Sequence, residues 1–292
     1  MYKVASIVVS YNGSDRILKT VKALLDQVDY IIIVDNNSDP TTKLMLCEME
    51  GEYKVKVIYN SLNTGVACAL NQGISHARAR GFEWVLTMDQ DSIADGNMVR
   101  ELFEGVKIFS GNEKVVSFSP EIVYGSPVST SVCNNNSQLK AKYEEKLVVI
   151  TSGNLFKASV FESIGAFNEE LFIDSVDFDF CLRLKQSGFH IIRCSKAILY
   201  HSLGEKKEFR FLGLKIYYIT HATNRKYYIV RNHIYLLKKY ILKYPAWCIW
   251  KQINLSGIIL RSLILEDHKM DNARYIVRGF MDGIMNRYDN LR

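Results

Sequence analysis

Residues 86–91 read LTMDQD and end an apolar run on two carboxylates, Asp89 and Asp91, one residue apart. In an extended segment side chains alternate faces, so both acids point the same way with Cβ atoms roughly 7 Å apart. Two such anions repel, and a cation beside them relieves the repulsion. Three other apolar runs also end in small polar residues: Ser10-Tyr11-Asn12, Asp35-Asn36-Asn37 and Asn63-Thr64-Gly65. Further on, DSVDFDFCLR sets Asp174, Asp177 and Asp179 ahead of Arg183, LYHSLG ends a run on His201, and Ser152-Gly153-Asn154 follows KLVVIT.

These residues need a scaffold, and the text supplies one. VASIVVSY, YIIIVDN, KVKVIY and WVLTMD are short, β-branched and continuously apolar, as strands buried on both faces are. Between them lie helical patterns, the first with Ile17, Leu18, Val21, Leu24, Leu25 and Val28 on one face. Asp39 is placed to cap the second helix and Pro40 to open it. The spacing predicts an α/β fold: a Rossmann-like, mostly parallel nucleotide-binding sheet over the first ninety or so residues. In such sheets ligands sit beyond the carboxyl ends of the strands, where these polar residues fall.

After Asn97 the order becomes mixed. A helix to about Phe109 is followed by strands VVSFSPEIVYG and KLVVITSGNLFK around a polar loop CNNNSQ, a short helix, the acidic helix and a strand HIIRCSKAILYH. From residue 206 onward the pattern reads as helical, with Gly213, Pro245, Gly257, Gly279 and Gly283 as breaks. This divides the chain into residues 1–203, a catalytic-type domain, and 204–292, a basic, aromatic-rich helical region.

The 292 residues carry 48% hydrophobic content, enough for a sizeable core. The N-terminal apolar stretch is only VASIVV, which reads as a first strand and not as a secretory signal, so a cytoplasmic location is expected. PAWCIWKQINLSGIILRSLIL is interrupted by Lys251 and Arg261 and is not expected to span a membrane. The six cysteines, Cys47, Cys68, Cys133, Cys181, Cys194 and Cys248, form no CxxC pair, which argues against zinc and disulfides and for small buried hydrophobes. The net charge of +6 hides an asymmetry: residues 204–292 hold 17 basic side chains against 7 acidic ones.

VSYN, VDNNS, NTGVACALNQGI and MDQDS together resemble the inverting, nucleotide-sugar-dependent glycosyltransferases of family 2, which have the GT-A fold. DQDS, FIDSVDFDFCLR and RKYYIVRN are most similar to the rhamnosyltransferase branch that builds bacterial surface polysaccharide such as O-antigen. The resemblance implies transfer of L-rhamnose from dTDP-L-rhamnose to a lipid-linked acceptor. It is strong over residues 4 to about 203 and weak beyond. A UDP-hexose or UDP-galactofuranose donor is the enzymatic alternative, and a catalytically silent sugar-nucleotide-binding scaffold the non-enzymatic one.

The chemistry fits the acid pair. A nucleoside diphosphate leaving group gathers negative charge as the glycosidic bond breaks, and a divalent cation neutralises it. The resemblance places Mg2+ or Mn2+ on Asp91, with Asp89 nearer the ribose and His201 completing the protein ligands. It places Ser10, Tyr11, Asn12, Asp35, Asn63, Gly65, Asp89 and Gln90 around the nucleotide. Asp35 is the acceptor for a pyrimidine N–H, and Ser152, Gly153 and Asn154 lie near the donor sugar or acceptor. Asp177, six residues before Arg183, matches the family's general base. Each position has a plainer reading too: Asp91 and Ser92 capping a helix, an Asx turn at Asp35, a packing role for His201, and an Asp179–Arg183 pair on a solvated face. Asp179-Phe180 stands where the branch more usually has Glu-Trp, which bears on acceptor contacts.

Basic and aromatic residues mixed on helices suit an anionic membrane surface, and polyprenyl-diphosphate-linked oligosaccharide acceptors would be met there. Peripheral contact with the inner face of the cell membrane is therefore expected. Nucleic acid is the competing polyanion and is not the expected partner. Packing supplies the third reading, with Tyr227, Tyr228 and Ile229 buried and Arg225 and Arg231 pairing acids.

Overall fold

The protein is described by a computed structural model covering residues 2–51, 54–125, 141–202, 206–211 and 214–288; the CNNNSQ loop and Gly213 lie outside these residues. In chain order the elements are β1 (Val4–Ser10), α1 (Asp15–Leu24), β2 (Tyr30–Asp35), α2 (Pro40–Glu50), β3 (Val55–Tyr59), α3 (Val66–Ala79), β4 (Trp84–Asp89), β5 (Ser92–Ala94), α4 (Met98–Ile108), β6 (Val115–Tyr124), β7 (Tyr143–Lys146), β8 (Asn154–Lys157), α5 (Val160–Ile164), α6 (Val176–Gln186), β9 (His190–His201), β10 (Lys206–Phe211), β11 (Leu214–Ile219), α7 (Thr223–Tyr240), α8 (Pro245–Ile264) and α9 (Lys269–Ile284). They form two compact units, residues 1–167 with 180–202, and residues 168–179 with 203–292.

The first unit is built on one mixed sheet in the order β3-β2-β1-β4-β8-β6-β9-β5, with β7 on β9. β1, β2, β3 and β4 are parallel, as are β6 and β9; β8 runs antiparallel to both its neighbours. β1 is buried along its whole length, as a strand covered on both faces must be. The contact with α3 is close: a Cβ at Gly73 would lie 2.4 Å from Ile7 Cγ2. Register aligns the strand ends, setting Ser10 opposite Asp35 and Val9 opposite Asp89. Asp39 caps α2 through its bond from Thr42 N–H, and Pro40 opens that helix.

Two expectations change here. KLVVITSGNLFK is not one strand; only Lys146 belongs to β7 and Asn154–Lys157 to β8, because the Gly153 turn (φ +78°) interrupts extension. β5 is three residues long, too short to be recognised by alternation, yet it pairs antiparallel with β9 and sets Ser92 opposite His201. The cysteines divide: Cys181, Cys194 and Cys248 are buried, while Cys47 is exposed. Burial pushes the Cys194 thiol up to about 12.

The second unit departs further from the expected all-helical reading. Residues 206–219 form the antiparallel hairpin β10–β11, with Lys206 opposite Ile219 and Phe211 opposite Leu214. The alternation in KKEFRF and LKIYYI has the period of strands. α7 then packs against α8 and α9 through Val230, Ile234, Leu255 and Ile276. Gly279 and Gly283 are interior to α9 and do not break it. A Cβ at Gly279 would fall 2.5 Å from the Tyr227 carbonyl oxygen, so the glycines admit α7's backbone. Among the described residues no helix is long and apolar enough to cross a membrane.

Candidate functional site

In the first unit, β4 ends on Asp89 and β9 on His201, and the short β5 draws the two strand ends together. One ligand atom from each of Asp89, Asp91 and His201 lies within 4.8 Å of the others. The DxD acids and a histidine more than a hundred residues away thus form one cluster. Ser202 Oγ donates to Asp91 Oδ2 at 3.2 Å. Behind the cluster runs a chain of hydroxyls. Asp89 N–H donates to Ser152 Oγ (3.0 Å), which donates to Ser92 Oγ (2.8 Å), which lies 2.7 Å from His201 Nδ1. With the proton on Nδ1 and donated to Ser92, the Nε2 lone pair is free for a metal.

Burial pushes the His201 pKa down, and the negative charge of Asp91 opposes that shift. The ring is therefore neutral and able to ligate at pH 7. Two carboxylates and one imidazole suit Mg2+ or Mn2+, which take their remaining ligands from water and phosphate oxygens. The donor set fits the expected cation.

Ser152→Ala removes the hydroxyl that joins the Asp89 amide to Ser92. Apparent metal affinity is expected to fall about 10–100-fold with little change in rate at saturating metal. Titrating Mn2+ against transfer rate checks this, and an unshifted activation curve refutes it.

Gly153 sustains the turn in front of β8. Its N–H donates to Thr87 O at 2.7 Å, its φ is +78°, and an added Cβ would meet Pro120 Cγ at 2.7 Å. Asn154 points into the sheet: it is 1% exposed and accepts from Ser117 Oγ at 2.7 Å, so a direct ligand contact does not follow from its position.

The predicted nucleotide residues mark the ends of β1, β2 and β3. Asp35 is fully buried, with both oxygens engaged by Ser38 through its N–H (3.1 Å) and its hydroxyl. The turn bonding weighed as its plainer role is thus present. Ser38 Oγ also accepts from Asn12 N–H at 2.9 Å, and Asn12 Oδ1 accepts from Asp39 N–H at 2.8 Å, so Asp35 acts on the Ser10-Tyr11-Asn12 end through Ser38. Gln90 clips the same segment, accepting from Tyr11 N–H (2.8 Å) and donating to Tyr11 O (2.9 Å). Tyr11 is 48% exposed, and the Ser10 hydroxyl is buried without a hydrogen-bond partner among the described residues. Asn63 Oδ1 accepts from Gly65 N–H at 3.0 Å, and Gly65 (φ +86°) opens α3. Asn36 holds this loop from below, donating to Gly65 O and accepting from Asn60 and Thr64, all at 3.0 Å. From sequence, Asn36 is named only within Asp35-Asn36-Asn37 and Ser92 only as a helix cap, and neither is given a place in the site. A cavity of about 810 Å³ opens at the other end of β4, around Trp84 and Phe118, and holds none of the predicted residues.

The second unit contains the three acids that compete for the base role. Asp174 is tied to Arg225 by two bonds of 2.9 and 2.8 Å. Asp179 is fully buried and accepts from Tyr240 Oη (2.7 Å), Lys239 Nζ (2.9 Å) and Tyr235 Oη (3.2 Å). It does not lie on a solvated face. Asp177, in the first turn of α6, is partly exposed; its Oδ1 accepts from Phe178 N–H at 2.8 Å. Nearby, Lys251 Nζ lies 4.0 Å from the centre of the Phe178 ring. Burial pushes the Lys251 pKa down, against the charges of Asp177 and Asp174.

The loop before α6 is bonded to α7. Phe172, Asp174 and Ser175 have φ of 61°, 64° and 66°. Such left-handed backbone is unfavourable for L residues and persists only where surroundings impose it. Asn232 Nδ2 supplies that restraint, reaching the carbonyls of Leu171 (2.8 Å), Ile173 (2.8 Å) and Asp174 (2.9 Å). Arg231 is fully buried and donates to Glu170 O at 2.7 Å and to Asn232 Oδ1 at 3.0 Å. The signal for both was RKYYIVRN.

Comparison with known proteins agrees with this architecture. The family described as Glycosyl transferase family 2 matches residues 6–165. A dTDP-rhamnosyl transferase, RfbF of Shigella flexneri, is 31% identical over 96% of this chain and 94% of its own length. A galactofuranosyltransferase, GlfT1 of Mycobacterium tuberculosis, is 24% identical over 81% of this chain and 82% of its own. Among solved structures, GalNAc-T7 with UDP, GalNAc and Mn2+ superposes with a TM-score of 0.64 at 13% identity over 98% of this chain. The present chain spans just over half, 56%, of that protein, and the likeness bears on fold alone.

Proposed function

The chain belongs to glycosyl transferase family 2, and on that premise we propose that it moves L-rhamnose, with inversion, from dTDP-L-rhamnose to a hydroxyl of a lipid-linked oligosaccharide. The observation that carries this reading is the 31% identity to a dTDP-rhamnosyl transferase along nearly the whole of both chains. Asp89, Asp91 and His201 would hold Mg2+ or Mn2+, which when bound neutralises charge on the departing diphosphate. Ser92 and Ser152 orient His201 and Asp89. The ends of β1, β2 and β3 cradle the nucleotide: Tyr11 offers an exposed ring for the base, Asn63 and Gly65 shape the loop beside it, and Asp35 with Ser38 braces Ser10 and Asn12.

Asp177 removes the proton from the acceptor hydroxyl. Asp174 serves Arg225 and Asp179 is fully buried among two tyrosines and a lysine, whereas Asp177 is partly exposed in the first turn of α6. Proton abstraction requires a carboxylate that the acceptor hydroxyl can reach. Ser152, Gly153 and Asn154 form the wall behind the donor sugar.

A panel of nucleotide sugars with and without Mn2+, read as thermal shift and as donor hydrolysis, tests the assignment. dTDP-rhamnose at about 100 times its dissociation constant should stabilise the protein by about 2.7 kcal/mol. A larger shift with UDP-galactofuranose would favour the second reading, which the similarity to GlfT1 supports. Donor binding without any turnover would favour the silent scaffold.

A further inference from the structure

α8 and α9 leave apolar surface uncovered. On α8 the residues turned inward, Cys248, Leu255 and Ser262, recur every seven positions. The opposite side carries Ile249, Trp250, Ile253, Leu260, Leu263 and Ile264, between 37% and 66% exposed. At about 100° per residue these six span an arc of roughly 140°, with Pro245, Ala246, Ser256 and Gly257 as the other members and no charge inside it. α8 holds two charged residues, Lys251 and Arg261, and no acid. Arg261 falls at one edge of the arc beside Trp250. α9 repeats the arrangement with Met270, Val277, Met281 and Ile284 exposed along one stripe and Arg274 and Arg278 beside it. Exposed apolar patches on this scale mark interaction surfaces and not ordinary solvent-facing helix.

We propose that the outward face of α8 lies in the headgroup region of an anionic lipid bilayer. Three features select lipid over a second copy of the chain. The arc is wider than the narrow seam that pairs two helices. Its edge carries Arg261 and the helix has no acid to pair with it, so two copies apposed there would bring like charges together, whereas an anionic surface complements them. Trp250 and Arg261 at the edge are the residue types that settle at the boundary between acyl chains and water, with the long Arg stem reaching toward the headgroups. The helix is amphipathic without being long and apolar enough to cross, so it lies in the plane.

This inference rests on the proposed lipid-linked acceptor for its biological purpose, but it can be tested by binding alone. The full chain is sedimented with phosphatidylcholine–phosphatidylglycerol vesicles and with pure phosphatidylcholine vesicles, at low and raised salt. Wild type is expected to bind the anionic vesicles and to lose part of that binding at raised salt. The doubly substituted chain Ile253→Asp, Leu260→Asp alters exposed positions only, so its fold is retained, and its vesicle partition should fall at least about tenfold. Its vesicle-free donor hydrolysis should equal that of wild type. Failure of wild type to bind anionic vesicles overturns the proposal, as does equal binding by the double variant. A wild-type dimer that the double variant converts to monomer, seen by light scattering, assigns the face to a second copy and also overturns it. Loss of donor hydrolysis by wild type itself would count against the catalytic reading alone.

Discussion

Asp177→Asn lowers sugar transfer by about 10²–10⁴-fold, the usual contribution of a positioned general base. The amide keeps the shape of the side chain and can still accept from Phe178 N–H, a bond of 2.8 Å in the structure, so the first turn of α6 is preserved. What it loses is the ability to take a proton. Donor affinity should therefore stay within about twofold while kcat falls, because a group acting only in the transition state leaves ground-state binding alone. Asp179 is the informative comparison. Its carboxylate is fully buried and meets Tyr240, Lys239 and Tyr235. Asp179→Ala strands those donors and should lower stability by about 3 kcal/mol or more, visible as a depressed Tm. A base gives a rate defect in a stable protein; a structural acid gives a stability defect. Near-normal turnover by Asp177→Asn would remove it from the mechanism.

Asp91→Ala is the second large effect. A bound cation stabilises developing charge by several kcal/mol, and each 1.36 kcal/mol is a factor of ten in rate. Transfer should fall at least about 10²-fold, and the dependence on added Mn2+ should flatten. The part of the donor's thermal stabilisation that requires metal should vanish, while the metal-independent part, from the nucleotide, remains. The substitution removes a charge from a partly exposed position that repels Asp89, so the fold itself should not suffer. Metal-dependent turnover at the wild-type level would refute the assignment of the cluster.

Much of this architecture can be read locally. Continuous apolar runs such as IIIV identify buried parallel strands, because a strand covered on both faces has no polar side to alternate. The polar residues at or just beyond their ends, Ser10, Asp35, Asn63 and Asp89, follow from the same boundary. Partnerships are less legible. Gln90 looks like a spacer between two acids, yet its amide completes the pairing of Tyr11, 79 residues away. Asp35 invites a ligand role, yet its nearest demand is Ser38. Asn154 reads like a site residue and turns into the sheet, because β8 takes its register from β4. The hairpin at 206–219 was hidden by the helical basic text that follows it.

The amino-acid order alone determines which chemical groups the chain owns, where its strands end, and that two carboxylates share one side of an extended segment; backbone geometry sets side-chain direction over a few residues. Tertiary structure decides which of those groups meet. His201 joins the acid pair because a three-residue strand sets Ser92 against it across 109 positions, and Asn232 holds the loop before Asp177 from 58 to 61 positions away. Such meetings depend on register and loop closure summed over the whole fold, quantities that no short window of sequence contains.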